Sequence, residues 1–495
     1  MTNIRQALAF SFLERYLLLA ISLGSNMAIA RLLTPEAIGV FSVSLAFVGI
    51  AQVLRDFGVA SYLIQEPKLT DAHVRTAFSV LLIMGGAVFV ALYLAAPLVA
   101  RTYGEPAMVA TLRICALNFL ALPFCTVSLA LLRREMKFQQ LAVVGFTAAA
   151  AGAAVSVGLA AAGYGVISLA IGSVVVNVVT GVGAAYCRGV ASLIRPGLGH
   201  WRVVLGFGAQ SSFTGVITSV SMDINDIAVG KILGFEPVAV LSRAQGLMYL
   251  FHRDLMSAVR NVAYPSFARA HREGQALEHS YVTSVTHVCV VAWPFYGFLS
   301  LYALDVLRML FGPQWDAAAP LVPLFCLAGR LGALTSLVTS LLIAAGRNTQ
   351  VTQVELVLQP LRAVLVVAAV LYFKSLAACA LALVAFTAFS IPVWYWLKGR
   401  SIPNDWPALR RKLGQSALVS VVSLAVPGLI WLWQADSRGA TGTGVMLASA
   451  LACAICWCLS LVWLKHPLAA DPAFVRLMPR WLLPPQTKSP SDFKP

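Results

Sequence analysis

Fourteen apolar stretches run almost end to end through this chain, at approximately 10–30, 38–64, 76–100, 108–132, 141–162, 164–187, 203–228, 239–258, 282–303, 318–345, 351–373, 375–397, 413–433 and 442–464. Each is about 20 residues or longer, enough to cross roughly 30 Å of hydrocarbon as a helix. The seventh is the most polar, and Gly163-Tyr164-Gly165 supplies the turn between the fifth and the sixth. Composition agrees, with 59% hydrophobic and only 11% charged residues and a mean hydropathy of +0.81. A soluble domain has roughly 25% charged residues. The expected fold class is therefore all-α: a polytopic membrane protein of about 14 transmembrane helices.

Basic residues orient these spans. With the N-terminus placed in the cytoplasm, 23 of the 36 Lys and Arg residues fall in cytoplasmic loops and tails and six on the opposite side. This is the positive-inside asymmetry, and it puts both termini in the cytoplasm. It also accounts for the net charge of +16 without nucleic acid, because basic residues at span ends anchor against anionic lipid. Ala28-Ile29-Ala30 resembles a signal-peptidase site, but Glu14 and Arg15 interrupt the preceding apolar run, and the first span is expected to be retained.

An internal repeat divides the chain. Residues 30–42 align without a gap on residues 230–242: a basic residue (Arg31, Lys231), a glutamate (Glu36, Glu236) and a serine (Ser42, Ser242) recur at one spacing. Further on, Tyr103-Gly104 matches Phe311-Gly312, and Ser168-Leu169-Ala170 matches Ser375-Leu376-Ala377. The pattern predicts two six-helix lobes, 1–190 and 191–400, then two added helices over 401–465 and a cytoplasmic tail over 466–495. Duplicated bundles of this kind are characteristic of transporters, and a substrate path is expected between the lobes, where helices 1, 2, 7 and 8 face one another. The longest internal loop, about residues 259–281, is too short for a separate domain, so any chemistry belongs to the spans and short loops.

Seven arginines lie inside the spans: Arg15, Arg55, Arg113, Arg243, Arg253, Arg330 and Arg362. At roughly 2.5–3.5 kcal/mol each for a central position, exposing all of them to lipid would cost about 20 kcal/mol. Arg113 and Arg253 sit near span ends, where a long side chain reaches the interface. The deeper ones are expected to face a wet cavity or paired acids. Polar stripes support this, with Thr352, Glu355, Gln359 and Arg362 stepping along one face of span 11 and Ser219, Asp223 and Asp226 along span 7. The bland alternative is interhelical hydrogen bonding, which is preferred for the serines and threonines. Asp56, Asp223, Asp226 and Glu355 are the candidate ion-coupling carboxylates, since an acid in a dry bundle changes protonation as its surroundings open. Cys453, Cys456 and Cys458 lie in an apolar span with no nearby histidine and read as packing rather than metal or redox chemistry. No cofactor is expected. His287, within span 9, reads as a packing residue that could carry protons.

The passages ARLLTPEAIGVFSVSLAFVGIAQVLRDFGVASYLIQ, LALLRREMKFQQLA, GYGVISLA and NDIAVGKILGFEPVAVLSRAQGL resemble the Wzx-type lipid-linked oligosaccharide flippases. These form the polysaccharide transporter branch of the multidrug/oligosaccharidyl-lipid/polysaccharide exporter superfamily. The resemblance covers roughly residues 5–400. It implies alternating-access transfer of an undecaprenyl-diphosphate-linked saccharide from the cytoplasmic to the periplasmic leaflet of a bacterial inner membrane. Membrane lipids, a polysaccharide polymerase and assembly proteins are the implied partners. By helix position it also implies a cationic cavity built on Arg15, Arg55 and Arg243, with Arg330 and Arg362 as further substrate-binding candidates and Arg253 as a rival to Arg243. An organic-cation antiporter would instead show a surplus of acids and aromatics in its pocket. A membrane enzyme of polysaccharide assembly would show a large outward loop with catalytic residues. Neither pattern is present, so the reading is a carrier and not an enzyme.

Overall fold

The computed structural model describes residues 4–56, 59–66, 68–188, 196–199, 201–251, 256–434 and 442–470, with the side chains of 4–16, 54, 56, 61, 65, 203–218, 258 and 470 outside that description. The described residues are helical and contain no strand. In chain order the helices are α1 (Ile4–Leu32), α2 (Pro35–Asp56), α3 (Val59–Gln65), α4 (Asp71–Tyr103), α5 (Ala107–Ala116), α6 (Asn118–Arg134), α7 (Phe138–Ala161), α8 (Ile167–Arg188), α9 (Trp201–Ile232) and α10 (Phe235–Tyr249). There follow α11 (Met256–Arg272), α12 (Leu277–Leu301), α13 (Ala303–Phe311), a 3-10 helix (Pro313–Leu321), α14 (Val322–Ala333), α15 (Val338–Ala344), α16 (Asn348–Phe373), α17 (Leu376–Gly399), α18 (Trp406–Trp433) and α19 (Thr443–Trp463).

Eleven membrane-spanning candidates among the described residues are long and apolar enough to cross a membrane, and they coincide with expected spans 2–6 and 9–14. Expected spans 1, 7 and 8 fall on α1, α9 and α10. Of α1 the described apolar part is Leu17–Leu32; α9 carries Asp223, Asn225, Asp226 and Lys231, and α10 has 15 residues. Where the chain breaks between helices, the repeat keeps its register: α1 ends at Leu32 and α2 begins at Pro35, while α9 ends at Ile232 and α10 begins at Phe235.

The chain forms two compact units, Met1–Val240 with Glu355–Ser375, and Leu241–Val354 with Leu376–Pro495. In the first, α7 packs along α8, α6 against α8, and α2 along α9. Small residues make these approaches close, as membrane helices require without a hydrophobic force between them. A Cβ built on Gly172 would lie 1.7 Å from Ser156 Oγ, and one on Gly152 2.2 Å from Val176. Along α2, a Cβ on Gly39 would meet the Phe235 carbonyl at 1.9 Å. Polar links add direction: Asn177 Nδ2 donates to Asn118 Oδ1 at 2.8 Å, and Asn118 Nδ2 donates to Ser173 Oγ at 3.0 Å.

The second unit is organised around α12, which contacts α14 and α18 and buries Tyr281, Val285, Cys289 and Tyr296. Pro294 has no N–H, so the Val290 carbonyl one turn earlier loses its helical partner. It accepts instead from Trp457 Nε1 of α19 at 2.8 Å. A defect in one helix thus becomes the docking point of another. The Tyr302 hydroxyl, 2.9 Å from both the Pro427 carbonyl and Ser449 Oγ, ties α18 and α19 to the same helix end.

Candidate functional site

The charged residues expected within the spans separate between the two units. In the first, Arg55 occupies the last turn of α2 and is 2% exposed, with Nη1 donating to Thr126 Oγ1 of α6 at 3.3 Å. It therefore points into the interior of its unit. On α9, which α2 contacts, Ser219 Oγ donates to Asp223 Oδ2 at 3.0 Å. Gly49 of α2 leaves the space this carboxylate fills, since a Cβ there would stand 2.7 Å from Asp223 Oδ2. Asp226 lies one helical step further on, partly buried. On α16, Gln359 Nε2 donates to Glu355 Oε2 at 2.7 Å, so the expected stripe does share a face. Arg362 continues it, its Nη2 donating to the Ser221 carbonyl of α9 at 3.2 Å. Arg15 lies on α1, and Asp56 ends α2; the side chains of both lie outside the described residues, as does Arg253 altogether.

In the second unit, Arg243 of α10 is 9% exposed and lies beside two aromatic rings. Its guanidinium carbon is 4.9 Å from the centre of Phe311 and 4.8 Å from that of Trp315. Both rings belong to the corner that joins α13 to the following 3-10 helix, where Gly312 takes φ +100°. Ring faces carry negative electrostatic potential, so a desolvated cation beside them gains about 2 kcal/mol or more while its N–H groups remain donors. Arg330, on α14, lies beside α12: a Cβ on Gly297 would be 3.1 Å from its Nη2. The structure thus pairs Arg55 with α6, Arg362 with α9, and Arg243 with an aromatic corner.

Sequence reasoning missed Phe311 and Trp315 as partners of Arg243. It picked out Phe311-Gly312 only as the repeat counterpart of Tyr103-Gly104. The counterpart corner offers the missing signal, since Tyr103 packs on Phe47 and Phe235 with Lys231 Nζ 5.7 Å from its ring. An aromatic beside a cation is thus a feature of both corners.

Two histidines meet behind α12. The rings of His287 and His466 are 6.3 Å apart, and His466 Nε2 lies 3.0 Å from Ser416 Oγ. His466 Nδ1 accepts from the Leu468 amide at 3.2 Å, which leaves the proton of the neutral ring on Nε2. Burial, with the charges of His287 and Lys412 added, pushes the His466 pKa down to about 4. Among the described residues no group of three His, Cys, Asp or Glu could hold a metal ion.

Stacked apolar helices, inward arginines and short loops define a multi-pass helical membrane protein of the exporter class. The solved structure of the lipid II flippase MurJ in an inward closed conformation shares the fold, with a TM-score of 0.75 at 12% identity over 93% of this chain and 99% of that one. Residues 28–320 match the family described as polysaccharide biosynthesis protein, and the chain belongs to that family. The lipopolysaccharide biosynthesis protein WzxC of Escherichia coli is 22% identical over 68% of this chain and 69% of its own length. The succinoglycan biosynthesis transport protein ExoT of Rhizobium meliloti is 25% identical over 61% of each. These findings agree with the resemblance to Wzx-type transporters.

Proposed function

We propose that this protein is a flippase that carries an undecaprenyl-diphosphate-linked oligosaccharide from the cytoplasmic to the periplasmic leaflet of a bacterial inner membrane by alternating access, with both termini cytoplasmic. It makes and breaks no covalent bond. The names of its relatives point the same way, to lipopolysaccharide and succinoglycan biosynthesis and, for the shared fold, to a lipid II flippase. The observation that carries the reading to particular residues is Arg243. The aligned repeat blocks 30–42 and 230–242 are followed by Val43 in one copy and Arg243 in the other. Val43 is fully buried, so the fold closes this position with a hydrocarbon side chain. Replacing a buried charge by a well-packed apolar residue is often neutral or stabilising, so stability alone does not call for an arginine here. A diphosphate does, because the planar guanidinium fork binds phosphate oxygens in pairs.

Arg15, Arg55 and Arg243 are assigned to the head group, with Arg330 and Arg362 as secondary contacts. Asp56, Asp223, Asp226 and Glu355 are assigned to ion coupling. Complementation of a flippase-null strain, read together with protein abundance, tests this directly. The triple variant Arg15→Ala, Arg55→Ala, Arg243→Ala should abolish glycan export at normal abundance. Normal export by that variant would return these residues to helix packing.

A further inference from the structure

A second basic site lies in the second unit, in a cavity of about 610 Å³ between the start of α12, the 402–405 loop and the first turns of α18. Arg411 and Lys412 supply its fixed positive charge, and the His279 imidazole lines it beside them. Its acids are already engaged within the protein. Glu278 accepts from Lys398 Nζ through one oxygen and from the Asp405 amide at 3.0 Å through the other. Lys398 itself is fully buried, and Asn404 Oδ1 accepts from its Nζ at 2.7 Å. Asp405 Oδ1 caps α18 by accepting from the Ala408 amide at 3.0 Å. Lys412 donates to Thr283 Oγ1 at 3.0 Å, beside the like charge of Arg411. The cavity floor is apolar, with Leu277, Val282 and Ile402 each at most 9% exposed.

We propose that this cavity binds the phosphate group of a membrane lipid. Glu278 is committed to Lys398 and a backbone amide, and Asp405 to the α18 cap with its charge also facing Lys412, so Arg411 is the exposed cation that an anion would bring together with Lys412. Three further features fit such a ligand. The volume is in the range of small-molecule sites. The site stands where the ends of spanning segments α12, α17 and α18 gather, which is where head groups lie. The apolar floor suits a glycerol backbone and the first acyl methylenes better than a free ion. The site involves none of the arginines assigned above and stands whether or not the translocation reading holds.

The test uses the purified full chain in phosphatidylcholine nanodiscs, titrated with phosphatidylglycerol and read by native mass spectrometry. The wild type should retain phosphatidylglycerol, and Arg411→Gln with Lys412→Gln should weaken retention by about tenfold or more, on the scale of one basic residue's contribution near an anionic surface taken twice. Arg411 is exposed, so Arg411→Gln alone spares the fold and should weaken retention by about threefold or more. Arg400→Gln with Arg410→Gln removes equal charge from positions outside the cavity and should leave retention unchanged. Displacement by millimolar inorganic phosphate would identify a soluble phosphate as the ligand and overturn the lipid assignment. Added undecaprenyl diphosphate that displaces phosphatidylglycerol would identify the lipid phosphate as that of the carrier lipid. Equal retention by all variants, or equal loss in the control, would overturn the site.

Discussion

One passage of sequence was used to build two corners of this molecule, and the corners came out chemically different. Around Val43 the interior is hydrocarbon: a Cβ on Gly230 would come within 2.6 Å of Val43 Cγ2, and Phe47 meets Tyr103 edge-on at 6.2 Å. The cation there, Lys231, lies at the surface with its Nζ donating to the Thr102 carbonyl. Around Arg243 the cation has moved inside, and Phe311 and Trp315 close on it. The first corner shows what the fold needs. The second shows what has been added to it. A buried charge that its repeat partner does without is the kind of residue a ligand retains.

The largest expected effect follows from making the second corner like the first. Arg243→Val should keep the protein in the membrane at normal abundance and lower glycan export by at least about a hundredfold, the order of losing a paired, desolvated phosphate contact. Arg243→Lys should recover only part, because the ammonium lacks the planar fork. Export by Arg243→Val at wild-type level would make the two corners functionally equivalent and remove the basis of the comparison.

How far these corners were legible in the sequence depends on the physics that set each part. Helix positions were readable because span length is fixed by the bilayer, and the register of the repeat passed directly into the breaks at 32–35 and 232–235. The stripe of Glu355, Gln359 and Arg362 was readable because helical phase puts it on one face. Partners across helices were not readable. Nothing in α10 announces that Arg243 meets Phe311 and Trp315 so much later in the chain, and the vacancy that Gly49 makes for Asp223 is a matter of helix approach, which periodicity does not encode. The span that reads as most polar, α9, carries Asp223 and Asp226, so the residues that weaken its hydropathy are the ones that make it a candidate for ion coupling.

Acid should sharpen the contrast between the units, because buried His466 and its neighbour His287 belong to the second. Folded His466 titrates at about 4 against an ordinary 6.5, so the unfolded chain takes up the proton first. The stability this confers is complete above pH 6.5 and is lost as pH falls toward 4, by up to about 3 kcal/mol. Thermal melts in detergent should drop between pH 7 and pH 4.5 in the wild type and flatten in His466→Gln. An unchanged slope in the variant would assign the acid response to other groups.

Backbone geometry provides a smaller distinction. Both corners turn on a glycine with positive φ, but Gly104 sits at φ 71°, ψ 19°, in the left-handed helical region. Gly312 sits at φ 100°, ψ 171°, a conformation nearly exclusive to glycine. Gly104→Asn should cost about 0.5–1 kcal/mol, since Asn visits that region, and Gly312→Asn about 2 kcal/mol. Melting temperatures of the two variants compare them directly, and equal losses would show that the two turns are under the same constraint.

The smallest expected effect isolates the ring face from the packing it brings. Phe311 is 8% exposed and its ring centre is 4.9 Å from the Arg243 guanidinium. Phe311→Leu keeps an apolar side chain but removes the quadrupole, which should cost about 1 kcal/mol of attraction to the cation. Trp315 still lies 4.8 Å from the guanidinium, so Arg243 should stay in place but be held less firmly, and export at matched abundance should fall by about threefold to tenfold. Tyr103→Leu makes the equivalent change in the first corner, where Lys231 Nζ is 5.7 Å from the ring and outside the buried interior. It also removes a hydrogen bond, since the Tyr103 hydroxyl donates to the Ile227 carbonyl at 2.9 Å. The first corner should therefore lose stability with export per molecule intact, while the second loses export with stability nearly intact. Parallel losses in both variants would mean that the aromatic corners serve only to pack the helices, and the distinction drawn between them would rest on Arg243 alone.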